Sequence, residues 1–376
     1  MRDNVGTVDD LHASASRMTG LTDFGADDYR EGLEVLLDAY ETEAGLTEAG
    51  RKTMRSFLRG ALVARLLSEA AWRQYPEHAQ VAIRQPIFVT GLPRTGTTAL
   101  HRLLTADPEH QGLELWLTEV PQPRPPRSTW DGNPIYAAIA DAYRRHRTEH
   151  PEFMGLHYIS AEQVEECWQV LRQSMTSVSF ECLAYIPSYS RWLAGRDWRT
   201  AYRRHRRNLQ LIGLPDAHRR WVLKNPSHLF ALDALLEAYP DALVIQTHRD
   251  PRTAIASVCS LNAQASHGWS DVFGPEVVGR TQLDLWARGL ERFVADRAVH
   301  DPARFLDVQY DDLVADPMGT IERIYAWWGS SPSAAARAAM AELDARSRAG
   351  ERRPAHRYDL ADFGLTAGQV EERFAR

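Results

Sequence analysis

The chain has 376 residues, a formal net charge of −6, 44% hydrophobic residues, 25% charged residues and three cysteines. This ordinary globular composition with an acidic balance argues against nucleic-acid binding through net charge. Cys167, Cys182 and Cys259 lack CxxC spacing and give neither a disulfide framework nor a zinc-ligand pattern.

Residues 1–10 carry acids and no apolar run, unlike a secretory signal, and no stretch approaches the ~20 apolar residues of a membrane span. The expectation is a cytoplasmic protein. Of 44 basic residues only Lys52 and Lys224 are lysines, which leaves 42 arginines. Genomic base composition accounts for the arginines but not for a lysine retained at position 224.

Residues 1–80 read as a helical extension, with Tyr29, Leu33, Leu36, Leu37 and Tyr40 at helical spacing and Leu58, Ala61, Leu62 and Leu66 continuing the pattern after Thr47. Ile87–Thr90 is an apolar run suited to a buried parallel strand; a glycine-bounded turn and a helix over 97–106 follow. Residues 121–126, Pro-Gln-Pro-Arg-Pro-Pro, form a rigid extended connection. Asn133-Pro134 opens a helix, Ser160 to Gln163 is a capping box opening another with Glu165 and Glu166 on it, and Asp197 caps a third that ends at Gly213. Together 121–213 make a helical insertion. The α/β rhythm resumes with strands at 221–223, 242–247 and 305–308, helices capped by Ser227, Asp250 and Asp316, and a long helix over 275–299. Strands alternating with helices predict a parallel-sheet α/β domain over 81–376, with helices on both faces.

Gly91-Leu-Pro-Arg-Thr-Gly-Thr-Thr98 matches the nucleotide phosphate loop GxxxxGK[ST] at Gly91, Gly96 and Thr98 but has Thr97 in place of lysine. A glycine-bounded loop ahead of a helix aims backbone N–H groups and the helix dipole at one point and so binds an anion. The cation here is Arg94. Pro86 to Thr98 resembles the 5′-phosphosulfate loop of sulfotransferases that use 3′-phosphoadenylyl sulfate (PAPS). His248-Arg249-Asp250-Pro251 through Ser257 is similar to that family's second motif, in which a strand-end arginine and a serine eight residues later grip the 3′-phosphate. The resemblance spans roughly 82–365 and implies PAPS as donor, adenosine 3′,5′-bisphosphate (PAP) as product and a P-loop-like fold.

It further implies nucleotide contacts from Arg94, Thr95, Gly96, Thr97, Thr98, Arg249 and Ser257, with Tyr310 beside the adenine and Arg357, in the C-terminal segment Arg352 to Gly364, over the 3′-phosphate. The Arg-Lys-Gly motif of better-known members is absent. Lys224 stands where members carry a lysine against the sulfate, and Arg94 joins it in the catalytic set. In-line transfer needs fixed cations and a base. Pro226 occupies the position where one branch places a histidine. Glu114 ranks first as base, His228 second and Glu119 third. No metal ligand set is expected. The expected acceptor is a small molecule, sugar or lipid, met by the insertion and by aromatics in or beside it, which include Trp116, Trp130, His157, Tyr158 and Trp168 and which equally suit a helical core; no nucleic-acid partner or membrane span is expected, and the oligomeric state is left open. A nucleoside-triphosphate kinase of related topology and a non-catalytic nucleotide-binding module are the alternatives.

Overall fold

The computed structural model describes residues 4–149, 159–349 and 358–375. Five short strands, β1 (Ile87–Gly91), β2 (His110–Gln111), β3 (Arg220–Lys224), β4 (Leu243–His248) and β5 (Phe305–Gln309), form one sheet in the order β2-β3-β1-β4-β5. Every pairing is parallel, so all five C-terminal ends lie along one edge. The register keeps those ends level: Val89 is opposite Lys224, Gly91 opposite Thr247, and His248 opposite Gln309. β1 is fully buried at the centre. The chain leaves it toward β2 and β3 on one side and reaches β4 and β5 on the other. That reversal opens a crevice beyond the end of β1, the usual ligand position in open α/β sheets.

Side chains alternate across the sheet with the period of two that a strand imposes. Phe88, Leu223 and Val244 face a large core that extends from Val5 to Val370. Ile87, Val89, Val222 and Ile245 face a second core on the other side. Into the large core pack α1 (Val8–Thr19), α2 (Arg30–Thr42) and α3 (Glu48–Gln74), the helices that precede β1. α4 (Thr97–Thr105) follows β1 and supplies Leu100, Leu103 and Leu104 to the second core.

The segment between β2 and β3 carries α5 (Leu115–Glu119), α6 (Pro134–Glu149), α7 (Trp168–Arg172), α8 (Pro187–Ala194) and α9 (Arg199–Ile212). Beyond β3 come α10 (Leu232–Ala238), α11 (Pro251–Ala265), α12 (Pro275–Arg297), α13 (Tyr310–Ala315), α14 (Pro317–Trp327), α15 (Ala334–Arg348) and α16 (Ala367–Phe374).

Several local expectations hold for the stated reason. Asn133 Oδ1 accepts the Ile135 N–H and Asp250 Oδ1 the Arg252 N–H, each at 2.9 Å, whereas Asp197, whose Oδ1 accepts the Arg199 N–H at 2.9 Å, stands one residue before the N-cap of α9, Trp198. Two others are corrected. Ser160 to Gln163 forms a turn rather than a helix start, because this stretch pairs with the chain before α5: Leu115 N–H donates to the Gln163 carbonyl at 3.0 Å and Glu165 N–H to the Leu113 carbonyl at 2.9 Å. Glu165 and Glu166 therefore precede α7 instead of riding on it. After β3 the cap is Asn225, whose Oδ1 accepts the Ser227 N–H at 2.9 Å; the Ser227 hydroxyl has no partner among the described residues.

Candidate active site

The loop between β1 and α4 is built from two glycines with positive φ. Gly91 sits at φ 142°, and a Cβ there would lie 2.5 Å from the Thr247 carbonyl. Gly96 sits at φ 87° as the N-cap of α4 and gives that helix no side-chain cap. The first helical bond runs from Leu100 N–H to the Gly96 carbonyl. The N–H groups of Thr97, Thr98 and Ala99 precede it and are left for a ligand.

Arg94, also at positive φ, reaches across to α11, where its Nε donates to Ser257 Oγ at 2.9 Å. Arg249, one residue past β4, donates from Nη1 to the Arg94 carbonyl at 2.9 Å and lies over the Tyr310 ring, 4.1 Å from its centroid. Burial pulls the Arg94 pKa down, and the neighbouring positive Arg249 acts in the same direction. Thus Arg94, Gly96, Arg249, Ser257 and Tyr310, drawn from three strand ends, form one group.

The Thr95 hydroxyl points elsewhere. It donates to the Leu92 carbonyl at 2.6 Å and lies 2.6 Å from Thr247 Oγ1, fully buried, so it braces the loop. Arg357 lies outside the described residues, as do His157, Tyr158, Arg352, Arg353 and His356. Tyr358, just after that segment, acts electrostatically on Arg94.

Lys224, the last residue of β3, is 1% exposed. Its Nζ donates to Thr98 Oγ1 at 3.1 Å and, over a shorter distance, to Glu166 Oε1. The second carboxylate oxygen of Glu166 has no partner among the described residues. Burial raises the Glu166 pKa above the usual carboxylate range, with Lys224 pulling against it. The extended stretch ahead of α7 makes this contact possible, since Cys167 N–H donates to the Lys224 carbonyl at 3.2 Å.

A cavity of about 480 Å³ joins these parts. Arg94, Gly96, Thr97, Thr98, Arg249 and Tyr310 line one end, Glu165 and Glu166 lie along it, and Leu115, Trp168, Leu183, Val258, Leu261 and Trp286 make an apolar wall.

The three expected bases are not among the lining residues. Glu114 Oε2 accepts Arg124 Nε at 3.0 Å, and Arg124 also holds Asp216, Gln111 and the Gly112 carbonyl. His228 is buried beside Phe88, 2.6 Å from the Tyr202 hydroxyl through Nδ1, and burial holds its pKa well below the usual histidine value. Glu119 accepts a hydrogen bond from the Tyr143 hydroxyl. Of the insertion's aromatics, Trp116 and Trp130 pack edge to face in the core, whereas Trp168 reaches the cavity. Sequence reasoning passed over Arg172, Asn262 and Trp286; no local motif marks them, because only folding brings α7, α11 and α12 to one wall.

A family model described as the sulfotransferase family matches residues 86–332. The chain belongs to the sulfotransferase family. The chain is 30% identical over 251 residues to omega-hydroxy-beta-dihydromenaquinone-9 sulfotransferase Stf3 of Mycobacterium bovis and of Mycobacterium tuberculosis. The match takes in 64% of this chain and 61% of those relatives, so it spans less than two thirds of their length. The crystal structure of sulfotransferase STF1 from Mycobacterium tuberculosis H37Rv shares 59% identity and a TM-score of 0.93 over 100% of both chains. That of sulfotransferase STF9 from Mycobacterium avium shares 29% identity and a TM-score of 0.90 over 100% of this chain and 96% of the other. Among the described residues no helix is long and apolar enough to cross a membrane.

Proposed function

We propose that this sulfotransferase moves a sulfuryl group from PAPS to the hydroxyl of an apolar, lipid-like acceptor. The observation that carries the reading is the junction at Lys224: one buried ammonium joins Thr98, on the uncapped start of α4, to Glu166, on the cavity wall. When bound, PAPS supplies the sulfuryl group, which passes to the acceptor oxygen as its bond to the 5′-phosphate breaks.

The chain's own groups fit that donor. The free N–H groups of α4 and the Arg94 guanidinium suit the 5′-phosphosulfate. Arg249 and Ser257 suit a 3′-phosphate, and the Tyr310 ring suits a base beside it. Lys224 is a compact charge that can follow negative charge as it shifts toward the leaving phosphate. Glu166 takes the acceptor proton through its unpartnered oxygen, the role first expected of Glu114. The insertion faces the acceptor through Tyr143, Trp168 and Leu183. An apolar wall favours a lipid over a sugar, and the relative Stf3 carries a menaquinone in its name.

The test is transfer of labelled sulfate from PAPS to a mixed panel of lipid alcohols, phenols and sugars. Product is expected on apolar alcohols, without added magnesium. Failure of PAP to bind, or nucleotide-dependent phosphorylation of the panel by ATP, overturns the reading.

A further inference from the structure

The apolar part of the cavity carries a cation that the transfer chemistry leaves unused. Arg172, the last residue of α7, lines the cavity on the same helical face as Trp168. Its Nε donates to Ser179 Oγ at 2.7 Å and its Nη1 to Gln169 Oε1 at 2.9 Å. Both acceptors are neutral. The guanidinium also lies 5.2 Å from the Phe57 ring centroid and 5.7 Å from that of Phe180. Ring faces offset only part of what removing a cation from water costs.

Arg172 is half-buried, and the buried arginines among the described residues are matched with carboxylates: Arg65 with Asp28, Arg124 with Glu114 and Asp216, Arg204 with Glu69. No carboxylate among the described residues forms an ion pair with Arg172. The strongest influences on its charge after burial come from phenols and a thiol, those of Tyr40, Tyr143, Cys182 and Tyr189. Arginine has five N–H donors; Ser179 and Gln169 take two, which leaves three, one on Nη1 and two on Nη2, the nitrogens that bound the far edge of the guanidinium. That edge matches the two oxygens of a carboxylate. The Tyr40 hydroxyl, within electrostatic reach of Arg172, is itself buried with no hydrogen-bond partner among the described residues.

We propose that Arg172 is an oxyanion subsite for the far end of the acceptor. The preferred acceptor is then two-headed. Its hydroxyl meets Glu166 and Lys224, its apolar stem runs along Trp168, Leu183 and Leu261, and an anionic oxygen group meets Arg172. Only the hydroxyl end rests on the transfer reading above.

The test separates binding from turnover by following quenching of tryptophan fluorescence, since Trp168 and Trp286 lie in the wall. The probes are ω-hydroxyoctanoate, ω-hydroxyoctyl phosphate and the neutral octanediol. In the native sequence at least one anionic probe binds about 10-fold or more tighter than the diol, and comparing the two anions tells carboxylate from phosphate. Arg172→Gln brings that probe to parity with the diol, and Arg172→Lys keeps part of the preference. Unchanged PAP affinity in both variants reports an intact fold. Equal binding of all three probes to the native chain, or an anion preference that survives Arg172→Gln, overturns the subsite. Preferential binding of an anionic probe that is never sulfated keeps the subsite and counts against the transfer reading instead.

Discussion

At the scale of single residues, charge and burial decide which carboxylate can act. Glu114 and Glu166 stand on neighbouring segments of chain, yet their environments differ. Glu114 is shared with an arginine that has three further partners, so its carboxylate is held within the Arg124 cluster. Glu166 has one ammonium on one oxygen and an unpartnered second oxygen, and burial raises its pKa. A protonated carboxyl cannot accept a proton, so turnover should fall as pH drops through that raised pKa. The acid limb of kcat is therefore expected above the usual glutamate range, and pH–rate profiles measure it. Glu166→Gln should abolish turnover while PAP still binds, and should lower stability by up to about 3 kcal/mol because Lys224 loses its counter-charge. Glu114→Gln should keep most turnover and cost about 1 kcal/mol in denaturant titration. Loss of turnover in Glu114→Gln alone would return the base to the position first expected.

At the scale of elements, the site depends on how helices are tied to the sheet edge. α3 holds the stretch beyond α7 through Arg65, which is fully buried and donates to the carbonyls of Phe24, Ala26 and Gln173 and to Asp28. Its neighbour Ser68 lies 2.8 Å from Asn208 of α9. Arg204, within a run of basic residues that reads as a solvated face, turns inward and pairs with Glu69. Arg65→Met takes the donor from the buried Gln173 carbonyl, the half-buried Phe24 carbonyl and the Asp28 carboxylate at once and should destabilise by about 3–5 kcal/mol. The urea midpoint should shift accordingly, with PAP affinity of the folded protein unchanged because Arg65 is not among the cavity residues. The loop itself is less forgiving. Gly91→Ala places a Cβ 2.5 Å from the Thr247 carbonyl at a backbone angle alanine avoids, so both stability and PAP binding should fall.

At the scale of the whole molecule, one parallel sheet with a core on each face brings distant loops to a single edge. A ligand that binds there only in the folded state should stabilise the entire chain, by about 2.7 kcal/mol at 100 times its Kd. Thermal unfolding should therefore shift upward with PAP, without magnesium, and less with adenosine 5′-phosphate. Arg249→Ala should narrow the gap between the two nucleotides by about 10-fold or more in affinity. An equal loss for both would remove Arg249 from the 3′-phosphate.

Local physics made much of this readable from the chain. Gly91, Gly96 and the apolar run at Ile87 read as a strand, a tight glycine-bounded loop and a helix, and Asp250-Pro251 as a helix start, and the fold has each of them. Lys224 stood out because it was one of two lysines. These signals depend on neighbours in sequence. The choice of Glu166, the inward turn of Arg204 and the exposure of Arg172 to the cavity depend on which segments meet in space. Ser160 to Gln163 looks like a helix start by itself, but pairing with the stretch before α5 outweighs that local preference and carries Glu166 to Lys224. Neighbouring residues along the chain were enough to fix the parallel sheet, the glycine-bounded loop after its first strand and the family. Which acid and which cation line the cavity follows from the tertiary structure alone, because burial and pairing are properties of contacts between elements far apart in the chain.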